Sequence, residues 1–198
     1  MKMSETLRMV VVLTSISVLS GASLAVVDSV TKEKINVNKQ YALNKGLKEM
    51  MPDADNFKKE DIKSNGKIIA IYRAVKDGTI IGWGFHLKGS GFLDKIEIIV
   101  AVNPRITRLL GLEVLEQKET PGLGDNIKKE GFRKQFKGLS INTKIGFIKN
   151  RIPEKGSNKI QALSAATYST RYLLDIVNNN IEDIKKIDKI KDIIGGEK

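Results

Sequence analysis

The sequence predicts an α+β protein in which a single N-terminal transmembrane helix precedes an antiparallel sheet packed by helices. Residues 9–27 form an uncharged apolar run, four β-branched segments follow between residues 67 and 117, and a helical pattern returns near Ser164. A block of strands followed by helix is typical of an α+β domain rather than of an alternating parallel-sheet protein. At 198 residues, the chain is long enough for one domain with a sizeable core.

The first element is the apolar run MVVVLTSISVLSGASLAVV, residues 9–27. As a helix it would be roughly 28 Å long, which nearly matches the hydrocarbon layer of a bilayer. A cleaved signal peptide is the alternative, because Lys2 and Arg8 precede the run and SGASLA contains small residues. The run is longer than the apolar core of a usual signal peptide, and a helical pattern continues after it. A retained anchor is therefore favoured.

A helical lead-in and then a sheet are predicted after the anchor. Apolar residues recur at helical spacing as far as Met51, and Pro52 ends the pattern. From Lys67 onward, β-branched and partly alternating residues make up the runs KIIAIYRAV, TIIGWGFHL, DKIEIIVAV and RITRLLGLEVLEQ. The segments KDG, KGSGF and VNP between them are typical of turns, so the four runs predict an antiparallel meander.

The C-terminal part is predicted to contain two helices and one more strand. DNIKKEGFRKQF has the pattern of a short helix with Asp125 near its start, TKIGFI predicts a strand, and the last helix begins near Ser164. In the tail, isoleucines at 181, 184, 187, 190 and 193 form a stripe. We expect this stripe to pack on its own domain; a partner helix or a membrane surface is the alternative.

Composition excludes several kinds of site. The chain has no cysteine and one histidine, His86, which excludes disulfides, zinc–thiolate sites, cysteine-ligated clusters and multi-histidine metal sites. His86 lies in a strand-like segment, so a structural role is favoured over catalysis. The net charge of +11 is compatible with nucleic acid, anionic lipid or an acidic protein partner. Because the basic residues are spread out and no nucleic-acid motif accompanies them, a solvated surface is favoured.

The first candidate binding motif is KETPGLGD, residues 118–125. Pro121 fixes φ, Gly122 can take the positive φ of a type II turn, and Gly124 leaves the backbone open to a close neighbour. Such a loop allows main-chain amides to approach a flat ligand. A glycine-rich turn between a strand and a helix, without a ligand, is the favoured alternative on these residues alone.

The second candidate motif is SAATYST, residues 164–170, immediately before an apolar helical run. Free amides and the positive end of the helix dipole make such a position suitable for a phosphate group. Serine and threonine are also the usual N-cap residues, because their hydroxyls accept a bond from an unsatisfied amide. On these physical grounds alone, the N-cap interpretation is favoured.

Together with the N-terminal membrane helix, the two motifs resemble the FMN-binding domain of the G subunit of Rnf electron-transport complexes (RnfG). They also resemble the related C subunit of the sodium-pumping NADH:quinone oxidoreductase, but the short chain favours the Rnf protein. The resemblance runs from the anchor to about residue 180. In this family FMN is attached to a threonine through a phosphodiester bond, and a separate flavin transferase takes it from FAD. The resemblance therefore implies covalent FMN on Thr167.

The resemblance also implies which other residues contact the cofactor. They are Ser164, Ala165, Ala166, Ser169, Thr170, Glu119, Thr120, Gly122, Leu123 and Gly124. Ala165 stands where the family usually has glycine, and Gln161 where an aspartate commonly precedes the motif. If that glycine has positive φ, alanine would be strained by about 1 kcal/mol or more. We expect no catalytic residue and no metal ligand, because the transferase supplies the attachment chemistry and the flavin the redox chemistry.

The implied function is electron transfer within a membrane-bound ferredoxin:NAD⁺ oxidoreductase coupled to Na⁺ or H⁺ transport, without stand-alone catalysis. Its expected partners are the other membrane subunits, the flavin transferase and membrane lipid, with no nucleic acid. The resemblance places the FMN domain outside the cytoplasmic membrane, although lysines that follow the anchor weakly favour the cytoplasm by the positive-inside rule. The alternatives are an assembly module that has lost its flavin, the quinone-reductase protein, and a basic domain that docks on anionic lipid or nucleic acid.

These predictions divide the chain into five parts. They are an N-terminal tail (1–8), a transmembrane helix (9–27), a helical lead-in (28–62), the FMN-binding domain (63–180) and a C-terminal amphipathic helix or tail (181–198).

Overall fold

The computed structural model describes residues 4–64, 67–187 and 190, and the chain forms two compact units, one up to Tyr41 and one from Ala42 onward. The first unit is a single helix, the greater part of α1 (Glu5–Met50). Its apolar stretch is fully exposed and is long enough to cross a membrane. The hydroxyls of Ser15 and Ser23 donate to carbonyls one turn earlier, at 2.8 and 2.9 Å, so neither is left unpaired on the apolar surface.

The second unit is built on one antiparallel sheet in which every strand pairs with its neighbours in the sequence. Its strands are β1 (Asn56–Ser64), β2 (Lys67–Lys76), β3 (Thr79–Ser90), β4 (Lys95–Val102) and β5 (Leu109–Glu116). The four predicted strands are β2 to β5, and the α+β class and the meander are both confirmed.

Strand β1 corrects the prediction that residues 28–62 form a helical lead-in. The helix ends at Met50, and residues 56–64 pair with β2 along their whole length. Five of the nine residues in NFKKEDIKS are charged, which hides the strand pattern. Because β1 is an edge strand, Lys58, Lys59 and Asp61 remain exposed to solvent at little cost and disfavour pairing with another chain.

The sheet is covered on both faces. The last turns of α1 bring Leu43 and Leu47 onto one face, where they pack with Tyr72 and Ile99. Gly84 permits this contact, because a Cβ there would lie 2.5 Å from Leu47 Cδ2. The larger core lies on the other face, between the sheet and the C-terminal helix, and includes Phe85, Leu87, Ile98, Val100, Leu173, Leu174 and Val177.

The segment DNIKKEGFRKQF is not the single helix that was predicted. It forms a 3₁₀ turn (Gly124–Lys128), the short helix α2 (Glu130–Arg133) and a second 3₁₀ turn (Lys134–Phe136), with extended backbone at Lys129 (ψ 139°). Ile127, Phe132 and Phe136 are all buried. In one continuous helix Ile127 and Phe132 would point about 140° apart. The break at Lys129 allows both to enter the core.

The C-terminal part contains a small second sheet and the last helix. Strand β6 (Gly146–Ile148) matches the predicted strand, but its parallel partner β7 (Lys159–Gln161) was not predicted. Helix α3 (Thr167–Lys185) packs against β3. It continues past residue 180, so the predicted boundary at 181 does not separate the tail from the domain.

The isoleucine stripe packs on its own domain, as expected. Ile181, Ile184 and Ile190 are buried in the main core, and Ile187 packs against it. Ile193 lies outside the described residues.

Candidate functional site

Three segments that are distant in the sequence meet at the N-terminus of α3. They are the turn at 91–94 after β3, the loop at 117–124 after β5, and residues 163–170. Gly91 N–H closes the first turn by donating to Asp94 O at 2.7 Å. The second and third segments contain the two sequence motifs, so the fold brings both motifs together.

A buried carboxylate joins the three segments. Glu119 is 3% exposed. Its Oε1 accepts hydrogen bonds from Phe92 N at 2.7 Å and Leu93 N at 3.3 Å, and its Oε2 accepts one from the Ser169 hydroxyl at 2.6 Å. A buried carboxylate is tolerated when it is fully hydrogen-bonded in this way. Glu119 therefore joins the three segments of the site.

Close packing around this carboxylate requires glycine at Gly124. A Cβ there would lie 3.0 Å from both Glu119 Cβ and Glu119 Oε2 and would overlap Ser169 Oγ. The motif predicted a close neighbour for the Gly124 backbone, and in the structure the neighbours are the side chains of Glu119 and Ser169.

The glycine-rich loop has the predicted turn. Leu123 N–H donates to Thr120 O at 3.1 Å, and Gly122 has φ +75°, which with Pro121 before it defines a type II turn. Asp125 N–H bonds to the same Thr120 carbonyl at 3.2 Å. Gly122 and Leu123 are exposed, Thr120 is half-buried, and Gly124 is buried.

The segment before α3 contradicts the N-cap interpretation. The N-cap residue is Ala166, with φ −136° and ψ 43°, and no side chain caps the helix. Thr170 instead braces the turn, since its hydroxyl accepts from Leu163 N at 3.1 Å and donates to Ala166 O at 3.3 Å. Ala165 has φ +60°, which is the strained conformation anticipated where the family usually has glycine.

Thr167 is the first residue of α3 and is half-buried. Among the described residues, no group forms a hydrogen bond with its hydroxyl. Ser164 and Ala165 beside it are exposed, whereas Ser169 and Thr170 are buried. The hydroxyl-rich segment thus contains two structural hydroxyls, at Ser169 and Thr170, and two hydroxyls without a partner among the described residues, at Ser164 and Thr167.

Sequence reasoning missed an aromatic pair at this site. The rings of Phe92 and Tyr168 are stacked, with centroids 5.6 Å apart and planes inclined by 22°. The Arg171 guanidinium carbon lies 5.5 Å from the Tyr168 centroid. The available signal was weak, because one ring lies in a turn and the other on a helix much later in the sequence.

An ion pair also links two of the three segments. Lys118 Nζ lies 3.1 Å from Asp94 Oδ2. The Lys95 backbone amide and then Lys118 hold the pKa of Asp94 below its usual value, while Asp94 raises the pKa of Lys118. Both side chains are exposed, so this pair adds little to stability.

His86 has a structural environment. Its Nε2 lies 3.0 Å from Glu97 Oε2, and Lys88 Nζ lies 3.1 Å from the other oxygen of the same carboxylate. In the part of the chain that the structure describes, no group of His, Asp or Glu residues is arranged to hold a metal ion.

Comparison with known proteins identifies relatives across most of the chain. Residues 91–182 match the FMN-binding domain. The G subunit of the ion-translocating oxidoreductase complex of Methanosarcina acetivorans is 22% identical over an aligned region that covers 90% of this chain and 94% of that subunit. The G subunit of the proton-translocating ferredoxin:NAD(+) oxidoreductase complex of Clostridium ljungdahlii is 27% identical, with 84% of each chain covered. The crystal structure of NqrC from Shewanella oneidensis has the same fold, with a TM-score of 0.59 and 19% identity over 75% of this chain and 74% of that one.

Proposed function

We propose that this chain, a relative of the G subunits of Rnf complexes with an FMN-binding domain, carries FMN bound covalently to Thr167 through a phosphodiester. In this proposal it is the electron-transfer subunit of a membrane-bound ferredoxin:NAD⁺ oxidoreductase coupled to ion transport. The observation that carries the proposal is the Thr167 hydroxyl, which is accessible and takes part in no hydrogen bond among the described residues.

The surroundings of Thr167 fit a phosphate ester. The first helical hydrogen bond of α3 runs from Thr170 N to Ala166 O, at 3.2 Å. The amides of the three residues from Thr167 to Ser169 precede it, and no acceptor within the described residues takes them. Free amides together with the positive end of the helix dipole favour an anion at this position.

Among the described residues that form the site, we find no free base for the attachment step. The buried carboxylate at the site, Glu119, already accepts three hydrogen bonds. A flavin transferase would therefore supply the base that takes the threonine proton. The Thr167 oxygen would then form a bond to the FMN phosphorus of FAD while the P–O–P bond breaks, and AMP would leave. Once bound, FMN supplies reversible electron transfer, and the protein orients the flavin.

The location and partners follow from the same proposal. Helix α1 would anchor the chain in the cytoplasmic membrane by a single span, with the FMN domain on the extracytoplasmic side. Lysines after the apolar run favour the opposite side, but a large domain weakens that rule. The other membrane subunits of the complex, the transferase during maturation and membrane lipid would be its partners. A C-terminal reporter fusion active only in the cytoplasm would refute this topology.

The test of the attachment is mass spectrometry of the peptide that contains Thr167, from protein purified from its own host. We expect an FMN adduct on the wild type and none on Thr167→Ala. Ser164→Ala is the matched control, since it removes an exposed hydroxyl three residues earlier and should keep the adduct. An unmodified Thr167 in an otherwise assembled complex would refute the proposal.

A second candidate is an assembly module of such a complex that has lost its covalent flavin. The left-handed conformation of Ala165 favours it, because that position is strained for alanine. A third is the C subunit of a Na⁺-translocating NADH:quinone oxidoreductase, which has the same fold. A yellow chromophore that remains on the chain after denaturation would exclude the assembly module without flavin. The proteins that copurify would show whether the complex is an Rnf complex or the quinone reductase.

A further inference from the structure

The most exposed large apolar side chain of the described residues lies in a basic loop. Ile152 is 81% exposed, more than any apolar side chain of the membrane-spanning run, in which Leu24 reaches 70%. It lies in the connection between β6 and β7, residues 149–158, which we call the β6–β7 loop. Pro153 follows it and has no amide N–H, so the tip presents few groups that need water. A single exposed isoleucine is ordinary on a protein surface, so its surroundings decide its meaning.

The surroundings of Ile152 are strongly basic. Residues 137–159 contain six lysines or arginines and one acidic residue, Glu154, so they supply a net charge of +5 out of +11 for the chain. The six are Lys137, Lys144, Lys149, Arg151, Lys155 and Lys159, and all are exposed. None of them forms an ion pair with a carboxylate among the described residues. Their charge is therefore available to attract an anionic partner.

Both ends of the β6–β7 loop are held by the small parallel sheet. The loop leaves β6 at Ile148 and returns to β7 at Lys159, which is paired with Gly146. From the rise along a strand and the spacing between strands, these two ends are about 8 Å apart. Within the loop, the N–H and the hydroxyl of Ser157 both donate to Glu154 O, at 3.0 and 2.7 Å. The apolar tip and the cations on either side of it are therefore confined to one small region.

We propose that the β6–β7 loop docks on an anionic lipid surface. Ile152 enters the boundary between head groups and acyl chains, and the flanking cations contact lipid phosphates. Apolar side chains beside lysines and arginines bind this boundary by burial of apolar area together with attraction to anionic lipids. An acidic protein would also attract the cations, but a specific protein interface needs an apolar core. Ile152 is the only strongly exposed large apolar side chain among the described residues of 137–159, which favours lipid.

The membrane helix makes even weak docking effective. Helix α1 contains an apolar stretch long enough to cross a membrane. Once that stretch is inserted, contact between the loop and the bilayer is an intramolecular step, so it does not depend on the concentration of the protein. The inference rests on this anchoring and not on FMN at Thr167.

The test is a spin label at the tip of the loop, which is specific because the chain has no cysteine. Ile152→Cys carries an apolar nitroxide, and the full-length chain is placed in nanodiscs of phosphatidylcholine with or without phosphatidylglycerol. Paramagnetic resonance compares collisions of the label with oxygen, which concentrates in lipid, and with a nickel chelate, which stays in water. This gives the ratio of docked to undocked label. We expect docking with phosphatidylglycerol and weaker docking in high salt. A label at Lys58→Cys, an exposed position on β1, should stay in water.

Two double variants test the role of the loop cations. Lys149→Gln with Lys155→Gln removes two lysines that flank the labelled tip. Each basic residue near an anionic bilayer contributes about 1 kcal/mol, or roughly fivefold, so the ratio of docked to undocked label should fall by roughly 25-fold. Lys59→Gln with Lys76→Gln removes the same charge from β1 and β2 and should leave the ratio almost unchanged. All four lysines are exposed, so we expect both variants to fold, and far-UV circular dichroism checks this.

Four outcomes would overturn the proposal. The label could stay in water in both kinds of nanodisc, or the two double variants could lower the ratio equally, which would show a response to net charge alone. A label shielded only in membranes that hold the assembled complex would refute lipid docking and assign the loop to a protein partner. A chain that does not enter nanodiscs would refute the anchor and the docking with it. An absent FMN adduct, in contrast, would refute the proposed attachment and leave the docking intact.

Discussion

Replacement of Gly124 by alanine should destabilise the domain through one identifiable hydrogen bond. The new Cβ would overlap Ser169 Oγ and lie 3.0 Å from Glu119 Oε2, so it would displace the Ser169 hydroxyl from the carboxylate. Overpacking of this kind costs about 1–3 kcal/mol. Loss of a hydrogen bond to a charged group costs about 1.5–3 kcal/mol. We therefore expect Gly124→Ala to lower the free energy of unfolding by about 3–4 kcal/mol.

The mechanism predicts that the effect is not additive with Ser169→Ala. That variant removes both the atom with which the new Cβ collides and the hydrogen bond that the collision would break. Gly124→Ala should therefore cost about 1.5–3 kcal/mol less in the Ser169→Ala background than in the wild type. Gly131→Ala is the control, because Gly131 has ordinary helical backbone and nothing within 4 Å of the added Cβ. It should be neutral or slightly stabilising.

Urea unfolding of the full-length chain in detergent measures these changes. Trp83 is the only tryptophan in the chain and is 3% exposed in the main core, so its fluorescence reports on this domain alone. With an m-value of about 2 kcal/mol/M, a loss of about 3 kcal/mol lowers the midpoint by roughly 1.5 M. Additivity within about 0.5 kcal/mol would show that the cost of Gly124→Ala does not arise at Ser169.

Three further predictions concern the same domain. Ala165→Gly should relieve the strain of positive φ and raise the free energy of unfolding in urea by up to about 1 kcal/mol, less the entropy gained by the unfolded chain; a loss of stability would contradict the strain. Burial raises the pKa of Glu113, and this outweighs the opposing attraction of Arg133. The folded state then holds the Glu113 proton more tightly than the unfolded state, so this stabilisation is complete below the ordinary glutamate pKa and is lost as pH rises through the raised pKa. Across that interval, the urea midpoint of the wild type should fall relative to that of Glu113→Gln. Parallel pH profiles of the two midpoints would contradict this prediction. If FMN is attached at Thr167, Arg171→Gln, one helical turn further along α3, should lower the midpoint potential of the flavin in a spectroelectrochemical titration, because a nearby cation favours the more negative reduced form. Arg151→Gln, at another exposed arginine, should leave the potential unchanged, and equal potentials in the two variants would refute the role of Arg171.

The sequence predicted those parts of the fold in which one periodicity dominates. Strands β2 to β5 contain long apolar runs rich in β-branched residues because the sheet is buried on both faces, and α3 has a continuous apolar stripe. Strand β1 was missed because an edge strand tolerates charge, and β7 because three residues are too few for a pattern. The segment around Lys129 appeared helical because local propensity does not reveal that Ile127 and Phe132 must enter the same core.

The sequence predicted only those features of the site that depend on residues close together in the chain. The turn at Gly122 and the close approach at Gly124 follow from residue types within one loop. The partners of Glu119 are two backbone amides and a serine on other segments, and no local pattern encodes them. Its expected contact with a flavin stays a prediction. The pairing of Phe92 with Tyr168 is likewise a product of the tertiary fold.

The separation of the three joined segments along the chain gives this domain an order of assembly. During synthesis the five-stranded sheet, whose strands pair only with sequence neighbours, is complete once Glu116 has left the ribosome. The carboxylate of Glu119 then has no partner at Ser169 until α3 has been made and has docked. A chain that terminated before α3 would lack Ser169, one of the three donors to Glu119, and the helix that carries Thr167. If FMN is attached at Thr167 as proposed, only chains that have completed α3 would present the attachment site.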